Sequence, residues 1–172
     1  MVQEMSSRFV VKQLDQEDAE DVFALCRTNE IFYQFHPPFA TRESILEDMA
    51  ALPQGKEPKD KYYLGFYDHR RLAAVMDLIL DYPQKGTAYI GFFMVDRDYQ
   101  GRGVGSEIIR DCGACLAGNG YSRLRLAIDQ GNPQSEAFWT KNGLVKTGEE
   151  ILRVGRAYLP MEKLLKAEGT KE

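Results

Sequence analysis

Apolar positions change their spacing along the chain, and the changes mark out the elements. Residues 8–14 read as a first strand. Residues 15–18 supply capping oxygens, and a helix over 19–27 follows with Val22, Phe23, Leu25 and Cys26 apolar. Residues 29–39 are irregular, aromatic and proline-containing. Thr41 caps a second helix, but Ser44 stands where a full capping box would carry Glu or Gln. Residues 62–67 and 71–80 read as strands joined by the turn Asp68-His69-Arg70. Residues 88–95 are nearly all apolar and are expected to be buried on both faces.

Glycines 101, 103 and 105 lead into a helix with Val104, Ile108, Ile109, Cys112, Cys115 and Leu116 at helical spacing. A strand over 122–129 points Leu124, Leu126 and Ile128 inward. Asn132-Pro133 opens another helix that Gly143 ends. Residues 144–151 and 156–164 read as a closing strand pair. The order β-α-α-β-β-β-α-β-α-β-β predicts an α+β fold: a mixed, mostly antiparallel sheet with one central βαβ unit. One domain is expected over 1–165, with a charged, disordered tail over 166–172.

Composition narrows the function classes. A net charge of −4 argues against a nucleic-acid partner. No apolar run approaches the roughly 18 residues that span a bilayer, and the N-terminus has no apolar signal core. A cytoplasmic protein without a membrane partner is expected. Three cysteines, two of them in Cys112-Gly113-Ala114-Cys115, make no disulfide framework. His36 and His69 lack metal-ligand spacing, so no metal is expected and the thiols are read as core groups.

The chemistry concentrates in residues 95–106. A buried strand there enters a glycine-rich turn and then a helix, which presents unpaired amides and a helix N-terminus to an anion. A P-loop would need Gly-Lys-Ser/Thr, and no such lysine exists here. A dinucleotide fingerprint would read Gly101-x-Gly103-x-x-Ser106 with Asp129 as the ribose acid, but the preceding elements are hairpin strands.

Gln100-x-x-Gly103-x-Gly105 resembles the pyrophosphate loop of the GNAT superfamily of N-acetyltransferases, and the element order is similar to that family's over roughly residues 8–164. Asn132, Phe138-Trp139, Lys141, Gly143 and Leu144 resemble its second signature. The resemblance implies a GNAT-like sheet of about seven strands and four helices with a splayed parallel pair. It implies acetyl-CoA as co-substrate, its pyrophosphate on the amides of Gln100, Gly101, Arg102, Gly103, Val104, Gly105 and Ser106. Pantetheine would lie between strands 88–95 and 122–129, reaching Met94 and Val95, with Asn132, Phe138 and Lys141 nearby.

The implied reaction is direct acetyl transfer to a primary amine of a small molecule or peptide. A backbone N–H at Met94 or Val95 would meet the oxyanion. Family members commonly place a tyrosine acid where this chain has Trp139, so Asn132 and water are expected to help the thiolate leave. Asp77, a carboxylate inside an apolar strand, is the candidate base, ahead of Asp81 and Tyr89. Tyr33, Phe35 and His36 would line the acceptor wall. The missing tyrosine keeps a non-catalytic acyl-CoA-binding module open, and the closing strands offer an edge for a homodimer.

Overall fold

The structure, a computed structural model, describes residues 1–166. Most of the expected charged tail therefore lies outside the described residues. The elements are β1 (Val10–Gln13), α1 (Ala19–Arg27), α2 (Glu30–Phe35), α3 (Arg42–Ala50), β2 (Lys61–Asp68), β3 (Arg71–Leu80), β4 (Thr87–Val95), α4 (Val104–Gly118), β5 (Arg123–Asp129), α5 (Pro133–Lys141), β6 (Val145–Lys146), β7 (Ile151–Arg153) and β8 (Arg156–Leu164). They form one mixed sheet in the order β1-β2-β3-β4-β5-β8-β6, with β7 also paired to β8. Every pairing is antiparallel except β4 with β5.

Each sheet face carries its own core. On one face, Ile108, Ile109, Cys112 and Leu116 of α4 and Trp139 of α5 pack on Leu64, Phe66, Ala74, Leu124 and Leu126. On the other, Val22, Leu25 and Cys26 of α1 and Ile45 of α3 meet Tyr63, Leu72, Val75 and Met94. Each large aliphatic chain fully removed from water contributes roughly 1.5–3 kcal/mol. Helix ends follow local chemistry. Gly120 and Gly143 take positive φ, and the amides of Tyr121 and Leu144 return to Leu116 and Trp139, closing the last turns of α4 and α5.

Four expectations change. The segment 29–39 contains α2, whose apolar residues cover the open part of the sheet. The α3 start has a complete reciprocal cap, because the Ser44 hydroxyl accepts from the Thr41 amide at 2.9 Å while Thr41 Oγ1 accepts from the Ser44 amide. The expected strand over 144–151 divides into β6 and β7, both laid against β8. The strand β4 is not buried throughout: Gly91 is exposed and Phe92 and Phe93 are half-buried.

That last difference has a geometric cause. The parallel ladder joins only Thr87–Ile90 to Arg123–Leu126, so β4 and β5 part beyond it. Leu78 faces Ile90 and Asp77 faces Phe92, which leaves Gly91 as an extra residue in β4. Such a bulge bends its strand. A Cβ at Gly91 would lie 2.9 Å from Asp77 Oδ2, so any other residue there makes the carboxylate shift.

Asp77 is 9% exposed and receives Lys61 Nζ at 3.0 Å. Lys61 also donates to the carbonyls of Asp48 and Ala51 at 2.7 and 2.8 Å. Asp77 Oδ1 has no partner among the described residues. Burial pushes the Asp77 carboxyl above the usual range, against the pull of Lys61.

We expect Gly91→Ala to lower stability by about 1–3 kcal/mol in denaturant titration, through a forced shift of Asp77. Lys61→Met is expected to cost about 3–5 kcal/mol by leaving a buried charge unpaired. A raised carboxyl pKa means the folded state holds the proton more tightly. Its stabilising contribution is thus complete below the unfolded carboxylate value and is lost as pH rises through the folded one. Denaturation midpoints across that window should flatten in Asp77→Asn relative to the native chain.

Candidate active site

The site begins where β4 ends. Asp96 is buried and accepts from the Asp98 amide at 2.9 Å and from Arg71 Nη2 at 3.0 Å, which tightens a short turn over Arg97–Tyr99. The Gln100 amide donates to the Arg97 carbonyl. The run of amides without a backbone acceptor among the described residues therefore starts at Gly101, not at Gln100, and continues through Ser106. Glu107 makes the next bond, to the Gly103 carbonyl at 2.9 Å.

Gly101 and Gly103 have φ of +71° and +78°, and no atom lies within 4 Å of where their Cβ atoms would be. The turn is thus both left-handed and open on the side where an anion would sit. Gly105 serves a different need, since its Cβ would stand 2.9 Å from Phe138 Cε2. A side chain there would displace the Phe138 ring from its packing between α4 and α5.

Gln100 acts through its side chain. Nε2 donates to the Val95 carbonyl at 2.7 Å and to Asn29 Oδ1 at 2.6 Å. Asn29 Nδ2 reaches the same carbonyl at 3.2 Å. Arg102 is exposed at a polar recess of about 420 Å³ lined also by Arg8, Asp68, Arg71, Asp98 and Tyr99. Arg8 pairs with Glu107 and Arg71 with Asp96 and Asp98, so Arg102 is the cation of the three without an ion pair among the described residues.

The gap between β4 and β5 opens beside this turn. The Asp96 amide bonds to Ala73, on the β3 side. By alternation the Met94 amide also faces β3, whereas those of Phe93 and Val95 face the gap. Of the two amides expected as donors, that of Val95 thus lies on the gap side and that of Met94 on the β3 side, with the Phe93 amide beside the first. Across the gap, Asn132 is 2% exposed and its Oδ1 caps α5 by accepting from the Ser135 amide at 3.1 Å. Trp139 is 7% exposed and packs against Phe93 and Phe138, with centroids 5.8 and 4.9 Å away. Lys141 is exposed in the last turn of α5.

On the opposite face, α2 crosses the mouth of the gap. Asn29, just before α2, holds the end of β4, and His36, just after it, holds the end of β5 through Asp129. Phe32 lies edge-on to Phe92 at 6.0 Å and stacks on His36 at 5.4 Å. Tyr33 turns inward to Phe39, at 4.3 Å, and burial raises its hydroxyl pKa. Phe35 is half-buried in the last turn of α2.

The other candidates stand elsewhere. Asp81 Oδ1 accepts from the Gly86 amide at 2.7 Å and closes a turn, and Tyr89 packs on Tyr82. Cys112 is buried on the Met5 carbonyl, and burial raises its thiol pKa, as a core group requires. Asn29, Phe93 and Asp129 were not marked as site residues by the sequence. Only the place of Asp129 at a strand's end hinted at a role.

Solved structures share this architecture. An acetyltransferase from Thermus thermophilus superposes with a TM-score of 0.71 at 19% identity, covering 90% of this chain and 96% of its own. The PaiA N-acetyltransferase from Thermoplasma acidophilum, solved in complex with coenzyme A, gives 0.65 at 17% identity and covers 90% and 97%. An N-acetyltransferase from Staphylococcus aureus gives 0.64 at 17% identity and covers 93% and 100%. No curated protein is similar enough in sequence to match. The sequence pattern of the acetyltransferase (GNAT) family, however, matches residues 20–144, from α1 to the residue after the α5 cap, and the chain belongs to that family.

Proposed function

We propose that the protein binds acetyl-CoA and transfers its acetyl group directly to a primary amine of a small molecule or peptide. The observation that carries this reading is the meeting of two features at one place. The open run of amides at residues 101–106 suits a pyrophosphate, and the gap between β4 and β5 suits a long arm that bears amides. Coenzyme A has both parts. The coenzyme A complex of the Thermoplasma protein supports the same ligand here.

Each residue then has a defined task. The amides of Gly101 to Ser106 and the Arg102 guanidinium receive phosphate charge. The free amides of Phe93 and Val95 hydrogen-bond the arm and meet the oxyanion that forms at the thioester carbonyl, a donor role worth about 100- to 1000-fold in rate. Phe138, held against Gly105, walls the gap on the α5 side. Asn132 has Oδ1 committed to its cap, so Nδ2 is the atom left to stabilise the departing thiolate. A thiol with a pKa of roughly 8.5 leaves without a dedicated acid, so a tryptophan at position 139 is compatible with turnover.

Calorimetric titration tests the cofactor. Acetyl-CoA should bind the native protein while NADH does not. Gly103→Glu puts a charged side chain at a left-handed position in the turn and should weaken binding by about 100-fold or more. Failure of the native protein to bind acetyl-CoA would refute the assignment. Asn132→Ala should lower kcat by about tenfold with little change in acetyl-CoA affinity. Unchanged rates in both Asn132→Ala and Trp139→Tyr would remove the thiolate role from this helix. Binding without turnover over a broad amine panel would mark the chain as an acyl-CoA-binding module.

A further inference from the structure

Two carboxylates lie on the face of the gap that α2 and α3 cover, and they differ in what they can do with a proton. Asp77 is committed to Lys61 through Oδ2, and its Oδ1 is sealed from solvent. One oxygen is bonded to a buried lysine and the other is buried, so Asp77 serves the strand and the Lys61 ammonium before anything else. Asp129 is the last residue of β5, and alternation sends it away from Leu124, Leu126 and Ile128 toward α2. Both of its oxygens meet His36 Nδ1, at 3.1 and 3.0 Å.

The His36 ring is fixed on several sides. Asp129 holds Nδ1, Phe32 stacks on one face at 5.4 Å, and Tyr158 of β8 approaches edge-on at 6.5 Å. Ionised Asp129 only accepts, so Nδ1 carries the hydrogen and Nε2 is the basic nitrogen. Nε2 has no partner among the described residues, and the side chain is 40% exposed. A base oriented by a carboxylate, with its other nitrogen free and open to water, is the arrangement that activates nucleophiles in many unrelated sites.

We propose that His36 accepts the proton of the acceptor amine and that Asp129 is its positioning residue. This rests on the acetyl-transfer reading above. An entering alkylammonium gives one proton to Nε2, and the exposed imidazolium releases it to water. The neutral nitrogen then forms the C–N bond at the thioester carbonyl carbon as the π pair moves onto oxygen. The pair returns, the C–S bond breaks with its electrons on sulfur, and the second amine proton passes through Nε2 to the thiolate. One ammonium and one thioester give one amide, one thiol and one proton in water.

The charges around the ring are few. Asp129 faces it from β5, and Asp48 of α3 lies within electrostatic reach. Arg156 of β8 donates to the carbonyl of Pro37, the next residue, and Tyr158 of the same strand approaches edge-on.

The test follows thiol release by the full chain from about pH 6 to 9. The probe amines are phenethylamine and trifluoroethylamine, the second being already neutral over most of that range. His36→Gln should lower kcat/KM for phenethylamine about 100-fold at the low end of that range, where little of the amine is neutral in solution, and should flatten the rising limb of the trifluoroethylamine profile, to which the amine's own protonation contributes little. The loss for trifluoroethylamine should be about tenfold or less, because it arrives deprotonated. Asp129→Asn should show the same pattern at smaller size, and calorimetry should give both variants native acetyl-CoA affinity. A rising limb with trifluoroethylamine that survives in His36→Gln, or that vanishes in Asp77→Asn alone, overturns the proposal. Loss of acetyl-CoA binding by the native protein would instead overturn the parent reading. A native protein that binds acetyl-CoA but releases no thiol with either amine overturns transfer to alkylamines and the base role with it.

Discussion

The parallel pairing of β4 with β5 stops after four residue pairs, and the rest of the site is arranged around that interruption. A parallel strand that leaves its neighbour exposes a row of amides and carbonyls, which is costly unless something else meets them. Each strand keeps its outer partner, β3 for β4 and β8 for β5, so only the facing edges are freed. The bulge at Gly91 bends β4 out of the ladder, and the buried Asp77–Lys61 pair occupies the space that a side chain at Gly91 would need.

The freed end of β4 is held in place without being covered. The Val95 carbonyl accepts from both Gln100 Nε2 and Asn29 Nδ2, so the strand end, the anion turn and the entry to α2 share one acceptor. The Val95 amide on the same edge stays available. The peptide that follows, fixed by Gln100 and Asn29 through the Val95 oxygen and bonded through the Asp96 N–H to Ala73, anchors the strand just beyond that amide, which keeps it in place. The same logic recurs at Asn132, where Oδ1 is bound and Nδ2 is not.

Much of this could be read in the sequence, for identifiable reasons. The helix α1, the strand β3 and the start of α5 follow from periodicity and caps, which are local signals. The glycine turn was legible because positive φ at Gly101 and Gly103 has few other solutions. What stayed hidden depends on tertiary partners. The segment that holds α2 has no regular apolar repeat, and its helix is six residues long with no side-chain cap. Ser44 closes a capping box that a search for Glu or Gln passes over. The partial exposure of Phe92 and Phe93 could not be foreseen from an apolar run, because it results from a gap between strands about thirty residues apart. His36 and Asp129, 93 residues apart, meet only once β5 and α2 are both in place.

The two moorings of α2 also bear on how this chain can diversify. A short helix pinned at Asn29 and at His36 does not need its outward-facing residues to keep its location. Within that span Phe32 and Tyr33 pack on the core, and Phe32 also braces His36. Ile31 and Gln34 are already exposed, and neither takes part in holding the ends. Substitution at those two positions would reshape the mouth of the gap and leave the glycine turn untouched, so the rim of the cleft and its floor are separable parts of one fold.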